Sequence, residues 1–352
     1  MQLEDLGYTE DLQNYVKENQ LDAFTIGRVT AEHKERYMVR TATSELNAEI
    51  TGNLRFSAND RSDFPAVGDW VTLTVFDDSL AIINAILPRK TVLERRAVGK
   101  FGEKQLIGTN IDYAFIIQAV DHDFNINRLE RYLAISAAAK VHPIILLSKI
   151  DLISSTELED KVAEIKKRQK NVQIFPFSNE SKSGYDQILA FIKKGTTYCI
   201  MGSSGVGKST LINNLCGGEV MKTRAISTST SKGRHTTSHR ELFILKNGGI
   251  LIDTPGMREI GVTENVEETI DDLAQLAQNC RYKNCTHMHE EGCAVIEAVE
   301  EGELDESTYE NYIKMFKESQ HFQASAAEKR KKDKAFGKMV KQVMKHKKRK
   351  KF

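Results

Sequence analysis

The sequence contains no apolar run near the roughly 20 residues that a membrane-spanning helix needs. Its first residues, Met1–Asp5, lack the basic start and apolar core of a signal peptide. Five cysteines in 352 residues are too few for a fold held together by disulfides. These absences argue against a membrane-spanning protein and a disulfide scaffold, and they predict a cytoplasmic location. With 40% hydrophobic and 28% charged residues, the chain has an ordinary globular composition and is long enough for two or three domains.

Net charge is also nearly absent, at +1, but the charges are unevenly distributed. From Lys329 to Phe352 there are 13 lysines and arginines and a single acid, Asp333, so this tail carries +12 and the rest of the chain −11. A mildly acidic body with a strongly basic tail predicts a polyanionic partner. The alternative for the tail is a solvated run of charge that only aids solubility.

One glycine-rich stretch fits the phosphate-binding pattern G-x-x-x-x-G-K-[ST]. It consists of Gly202, Ser203, Ser204, Gly205, Val206, Gly207, Lys208, Ser209 and Thr210. A short apolar strand precedes it and a helix follows, which is the setting in which successive backbone N–H groups can point at phosphates. In that setting Lys208 reaches the terminal phosphates and Ser209 is placed to hold Mg²⁺. The sequence therefore predicts a nucleoside triphosphate site.

Two further stretches follow predicted strands and indicate which base is bound. Ser148, Lys149, Ile150 and Asp151 resemble the [NT]-K-x-D guanine reader, in which the carboxylate accepts hydrogen bonds from the guanine N1–H and amine. Lys149 would lie along the base with its aliphatic stem on the ring. The usual first residue is asparagine, so Ser148 is a departure, and its hydroxyl can make only one of the amide's hydrogen bonds. One strand later, Ser178-Asn179-Glu180 resembles the loop whose backbone helps to hold the base.

Residues that would act at the γ-phosphate follow the phosphate loop. Asp253 and Gly256 form D-x-x-G after an apolar strand, which puts a carboxylate at Mg²⁺ and a glycine amide at the γ-phosphate. Within the polar stretch 228–240, either Thr236 or Thr237 could complete the Mg²⁺ shell, as in a first switch. Met257 stands where many GTPases carry a water-positioning glutamine, which predicts slow unaided hydrolysis. His235 is the candidate to orient the water instead, although a solvent-facing histidine explains it equally well.

The remaining cysteine pattern predicts a metal site. Cys280, Cys285, His287 and Cys293 form C-x4-C-x-H-x5-C, which supplies three thiolates and one imidazole, the tetrahedral set that structural zinc prefers. His289 is a possible substitute ligand. Because all four positions are filled by protein, such a site would stabilise a short polar segment and leave no position for substrate.

Periodicity divides the chain into four predicted parts. Residues 1–97 are predicted to form an N-terminal helix (about residues 4–18) and an OB-type β-barrel of five short strands, and residues 92–100 are interpreted as a basic linker. Residues 98–265 alternate strands and helices, as in an α/β P-loop GTPase domain. Residues 266–328 would form a zinc-binding helical domain, and residues 329–352 the basic tail.

The motifs occur in an unusual order, because the guanine reader precedes the phosphate loop and D-x-x-G comes last. All three are loops at the carboxyl ends of parallel strands, so a changed chain order leaves the site intact. This is the architecture of a circularly permuted GTPase. Together with the preceding barrel, and with the stretches Asp123–Leu133 and Gly233–Thr237, the chain resembles the ribosome small-subunit-dependent GTPase A family over about residues 22–301.

The resemblance implies a GTPase that acts in late maturation of the small ribosomal subunit. GTP with Mg²⁺ and one structural zinc would be bound, and the subunit and its rRNA would be the partners. Hydrolysis stimulated by the subunit would drive release of the protein, which is expected to be a monomer. Two alternatives are a GTPase of another RNA pathway, such as tRNA maturation, and a non-enzymatic RNA-binding protein switched by GTP.

Overall fold

The structure is a computed structural model that describes residues 1–33, 36–58, 60–96, 104–220, 240–254 and 270–323. The predicted N-terminal helix is present but divided. A 3₁₀ turn spans Leu3–Leu6, and helix α1 spans Glu10–Glu18, with Thr9 as its N-cap. The break is at Gly7, whose φ of +85° ends the 3₁₀ turn in the left-handed conformation. None of the described helices is long and apolar enough to cross a membrane.

Five strands then close into a barrel in the order β1-β2-β3-β5-β4. The strands are β1 (Thr25–His33), β2 (Arg36–Thr41), β3 (Glu45–Ile50), β4 (Trp70–Val75) and β5 (Leu80–Ile86). β3 and β5 are parallel and β1 pairs antiparallel with β4, which gives the OB-type topology that the sequence predicts. Alternate residues of each strand fill the barrel. Helix α2 (Gly52–Ser57) is capped by Thr51 and begins with Gly52 and Asn53, a pair that is typical of turns.

The prediction of a basic linker over residues 92–100 is wrong for its first part. β6 (Val92–Arg96) pairs antiparallel with β7 (Lys104–Thr109) and forms a separate two-stranded sheet. Leu93 is 1% exposed and belongs to the hydrophobic core beneath the larger sheet. Ile107 of β7 is fully buried in the same core, so both strands anchor the ribbon, and the charged residues around Leu93 conceal the alternation in the sequence.

A six-stranded sheet with helices on both faces forms the nucleotide-domain scaffold. Its order is β10-β9-β8-β11-β13-β12, with all strands parallel except β12. The strands are β8 (Tyr113–Ala119), β9 (His142–Ser148), β10 (Gln173–Pro176), β11 (Thr197–Gly202), β12 (Leu242–Ile244) and β13 (Ile250–Asp253). The helices among them are α3 (Ile126–Ala138), α4 (Ser155–Arg168), α5 (Tyr185–Phe191) and α6 (Lys208–Cys216). Fully buried apolar residues on both faces explain why these strands read as continuous hydrophobic runs.

The C-terminal module contains α7 (Asp271–Ala277), α8 (Ala294–Glu300) and α9 (Glu306–Gln323). Its apolar residues join the same core as α3 and α4. Polar contacts reinforce the joint: Arg131 of α3 pairs with Glu318 of α9, and Asn311 of α9 donates to the fully buried Glu130 of α3 at 2.5 Å. Burial raises the pKa of Glu130, opposed chiefly by the charge of Arg168.

Arg28 of β1, which is 1% exposed, is a buried side chain that helps to join the barrel to the six-stranded sheet. Its Nη1 donates to Leu6 O at 2.6 Å and to Thr197 Oγ1 at 2.9 Å. Its Nε donates to Gly68 O at 3.1 Å, and its Nη2 donates to Asn110 O at 3.0 Å. The guanidinium lies 5.6 Å from the Trp70 ring centre. One residue therefore connects the N-terminal segment, the barrel and the start of β11.

Candidate functional site

The predicted nucleotide loops lie together at one edge of the six-stranded sheet. β9, β10, β11 and β13 are parallel, so the segments that follow them emerge at the same edge. Side-chain contacts show that these segments touch: the Ser148 hydroxyl, after β9, donates to the Val206 carbonyl of the phosphate loop at 2.8 Å. The structure thus brings the guanine reader and the phosphate loop together despite their reversed order in the chain.

The phosphate loop adopts a conformation that only glycine permits at several positions. Gly202 has φ +148°, and a Cβ there would lie 2.5 Å from the Ile117 carbonyl oxygen. Gly207, at φ +96°, is the residue before α6. Lys208 begins that helix and donates to the carbonyls of Gly202 (2.9 Å) and Ser203. Its ammonium therefore lies inside the curve of the loop, where a bound phosphate would accept from it.

The other residues of the phosphate loop differ in how exposed they are to solvent. Val206 is 1% exposed and packs into the core, and Ser203 is 6% exposed. Ser204 and Gly205 are exposed at the tip. Ser209 and Thr210 lie half-buried in the first turn of α6, where the helix dipole favours an anion and its counter-ion.

The guanine reader is held by a side chain from each neighbouring loop. Lys149, in the left-handed conformation at φ +64°, pairs with Asp121 after β8 at 2.8 Å. Ile150 and Asp151 form a 3₁₀ turn in which the Asp151 side chain is exposed. The Ser178 hydroxyl donates to Asp151 Oδ1, which fixes the plane of the carboxylate while its other oxygen remains available to a base.

Asp253 closes β13 beside the phosphate loop and is 5% exposed. Burial raises its pKa to about 6, against the lowering effect of the Lys208 charge. Thr254 donates to the Ile200 carbonyl and so ties the end of β13 to β11. A buried carboxylate near Lys208 and Ser209 has the chemistry to coordinate Mg²⁺. Four other predicted site residues, His235, Thr236, Thr237 and Gly256, lie outside the described residues.

The four predicted metal ligands converge in the C-terminal module. The ligand atoms of Cys280, Cys285, His287 and Cys293 all lie within 4.8 Å of one another. His287 Nδ1 is 3.5 Å from Cys280 Sγ and 3.3 Å from Cys293 Sγ, and the two sulfurs are 3.9 Å apart. A tetrahedral zinc with Zn–S bonds of about 2.3 Å separates its sulfur ligands by about 3.8 Å. The cluster therefore fits a structural zinc site.

Two residues that support these sites, Asp121 and Glu290, are missing from the sequence-based prediction, and a third, Asn179, is predicted only as part of a loop whose backbone holds the base. Asp121 pairs with Lys149. The Asn179 amide contacts the phosphate loop. The Glu290 carboxylate accepts from Thr286, Met288 and His289 N–H groups and organises the loop of ligands. Each of these side chains contacts a partner that the fold or an irregular turn brings near. A pattern of residue types along the sequence does not reveal such contacts.

The sheet carries a phosphate loop, a guanine reader and a D-x-x-G strand end, and it follows an OB-type barrel. These motifs occur along the chain in an order that is rotated relative to most GTPases. This combination defines a circularly permuted P-loop GTPase. Residues 86–263 match the family described as RsgA GTPase. The chain belongs to this family.

Curated relatives resemble it over nearly its full length. "Small ribosomal subunit biogenesis GTPase RsgA 1" of Bacteroides thetaiotaomicron is 38% identical over 344 residues, covering 97% of this chain and 96% of its own. "Small ribosomal subunit biogenesis GTPase RsgA 2" of Listeria monocytogenes is 42% identical, covering 90% and 89%. The chain is accordingly a GTP hydrolase of ribosome biogenesis, and its family uses Mg²⁺ with GTP.

Solved structures support the fold. YjeQ from Thermotoga maritima superposes with a TM-score of 0.62 at 25% identity, covering 84% of this chain and 98% of its own. YloQ, described as a circularly permuted GTPase, gives 0.63 at 23% identity and covers 86% and 97%. The predicted architecture of barrel, permuted GTPase domain and zinc-binding helical module is confirmed, whereas the exact domain boundaries remain predictions.

Proposed function

We propose that this GTPase binds the small ribosomal subunit in its GTP state during late maturation, that the subunit stimulates hydrolysis, and that hydrolysis drives release. The observation that carries the proposal is the likeness, over nearly the whole chain, to relatives named for small-subunit biogenesis. A barrel and a zinc module flank the nucleotide domain in one chain, which supports a large RNA partner. We further propose that the protein is monomeric and acts in the cytoplasm.

Each residue of the nucleotide site has a proposed role in this cycle. Lys208 and the amides of the phosphate loop bind the phosphates, and Asp151 selects guanine. Ser209 and Asp253 hold Mg²⁺, which supplies charge neutralisation at the β- and γ-phosphates. His235 remains the proposed residue that orients the attacking water, with Thr236 or Thr237 and Gly256 sensing the γ-phosphate.

The barrel offers a surface suited to RNA. Phe56 of α2 is 92% exposed and Phe76, after β4, is 65% exposed. Aromatic side chains held in water on an OB-type barrel provide stacking platforms for unpaired bases, each worth about 1–3 kcal/mol. Arg55 is exposed beside Phe56, and its guanidinium can contact the phosphates of a stacked strand. We therefore propose these aromatic residues as part of the rRNA-binding surface.

GTP hydrolysis measured with and without purified small subunits tests the function. We expect slow turnover alone and strong stimulation by the subunit. Phe56→Ala with Phe76→Ala should weaken subunit binding and leave unstimulated turnover unchanged, whereas Lys208→Ala should abolish turnover in both conditions. Stimulation by tRNA with none by small subunits would instead assign the protein to tRNA maturation.

A further inference from the structure

We infer that the Asn179 side chain is a positioning residue of the nucleotide site. It ties the loop that follows β10, which begins at Ser178, to the phosphate loop, and this contact is called the strap below. It supplies a hydrogen bond that the shorter side chain of Ser148 does not make. The inference rests on the proposed guanine-nucleotide site. It assigns to the Asn179 amide a role separate from base recognition by the loop backbone.

The contacts form one directed chain of hydrogen bonds. Asn179 Nδ2 donates to the Gly207 carbonyl at 3.1 Å. Its Oδ1 accepts from the Tyr185 hydroxyl at 2.6 Å, and that hydroxyl accepts from Asn214 Nδ2 at 2.7 Å. Because the Gly207 carbonyl can only accept, the Asn179 amide has one permitted orientation, and each of the three contacts pairs a donor with an acceptor.

Adjacent carbonyls of the phosphate loop are thus held from two different base loops. Ser148 holds Val206 O, and Asn179 holds Gly207 O. The N–H groups of Gly207 and Lys208 can point at a phosphate only if the carbonyls in the same peptide planes, those of Val206 and Gly207, point away from it. Fixing two consecutive carbonyls from outside holds the N–H groups that follow them in place before nucleotide binds. The loss of conformational entropy on binding is therefore smaller.

Packing shows that the Asn179 position is built closely around the loop. A Cβ on Gly207 would lie 2.3 Å from Asn179 Nδ2, so the amide occupies the space that any larger residue at 207 would need. Tyr185 is 8% exposed, and Asn214 anchors it from α6, the helix that the phosphate loop begins. The hydrogen bonds from Asn179 through Tyr185 to Asn214 therefore end on α6, the helix whose N-terminus would bind the phosphates.

Ser148 explains why a second strap is needed. An asparagine at this position has two N–H donors and one acceptor, whereas a serine hydroxyl has a single donor, and that donor is already used on Val206. Asn179 contributes the additional amide from the next loop. The two positions should consequently substitute for each other in part.

The test compares GDP affinity and GTP turnover for the parent, Asn179→Ala, Tyr185→Phe and Ser148→Asn/Asn179→Ala, with Ser183→Ala as the control for an exposed hydroxyl in the same loop. For loss of the part-buried hydrogen bond to Gly207 O, together with the acceptor of the Tyr185 hydroxyl, we expect the GDP dissociation constant and KM for GTP to rise about three- to tenfold in Asn179→Ala. The rise in KM should be larger than any fall in unstimulated kcat, because Asn179 contacts the loop that binds the nucleotide and not the reacting atoms. Tyr185→Phe should show a smaller loss in the same direction, and Ser148→Asn should recover most of the affinity in the double variant.

The outcomes separate this inference from the proposed function. GDP affinity in Asn179→Ala equal to that of Ser183→Ala would refute the strap while leaving the guanine site standing. A double variant no tighter than Asn179→Ala would refute the exchange between positions 148 and 179. A parent that binds ADP as well as GDP would overturn the guanine site and the inference with it.

Discussion

Replacing Arg28 with methionine tests whether the barrel is held on the nucleotide domain by the buried guanidinium. The substitution keeps an extended, unbranched side chain but removes the donors to Leu6 O, Gly68 O and Asn110 O. These acceptors lie where water does not replace the donor, so the loss should cost about 3–5 kcal/mol. The burial that makes the site sensitive also lowers the pKa of Arg28 to about 10, which still leaves it charged at neutral pH.

The corresponding shift in melting temperature can be worked out. Unfolding entropy is about 2.1 cal/mol/K per residue, which for 352 residues gives about 0.74 kcal/mol/K. A loss of about 3–5 kcal/mol then lowers the melting temperature by roughly 4–7 °C. Differential scanning calorimetry measures this directly.

Arg36→Met provides the matched control. Arg36 is also an arginine of the barrel, but its contact with Glu49 joins side chains that are 77% and 65% exposed. Exposed ion pairs contribute about 0–1 kcal/mol, so this variant should melt within roughly 1.5 °C of the parent. If Arg28→Met melted as high as Arg36→Met, the assignment of Arg28 as the joint between barrel and sheet would be refuted.

Three shorter predictions concern the sites. Asp151→Asn should lower GTP affinity by at least tenfold and raise affinity for xanthosine triphosphate, since an amide can donate to the xanthine 2-carbonyl; unchanged competition by both nucleotides would contradict the guanine role. The pKa of Asp253 is about 6, so its carboxyl group is neutral below that pH and charged above it. Mg²⁺ affinity should therefore fall as the pH drops below about 6, and Asp253→Asn should lack this dependence. Cys293→Ala should bind less than one equivalent of zinc by metal analysis and expose the C-terminal module to proteolysis, whereas Cys216→Ala should retain the metal.

The sequence predicts the chemical parts of this site because each depends on local spacing. A phosphate loop, a D-x-x-G strand end and a C-x4-C-x-H-x5-C set are short stretches whose chemistry requires given residue types at given distances along the chain. Buried parallel strands are also visible as apolar runs, since helices cover both faces of the sheet. The barrel follows from alternation and turn residues for the same reason.

Supporting contacts are hidden because they join residues far apart in sequence. Asp121 meets Lys149, and Asn179 meets Gly207, only after separate strands have taken their places in the sheet. Two elements are hard to predict because of their local sequence. Charged neighbours mask Leu93 of β6. Gly52 begins α2 although glycine followed by asparagine is typical of a turn.

The rotated motif order gives the C-terminal module two attachments to the nucleotide site. Along the chain, the module follows the D-x-x-G strand end at Asp253. In space, it packs on α3 and α4, and Arg168 at the end of α4 pairs with Asp305 of the module at 3.1 Å. α4 begins just after the turn that carries Asp151 and ends at Arg168, so this second contact reaches the guanine end of the site through the whole helix, a length of roughly 20 Å. In the usual order, the segment after D-x-x-G must return to the sheet as its next strand. Permutation instead frees that segment to carry a separate domain, so the C-terminal module is placed to respond directly to the state of the nucleotide.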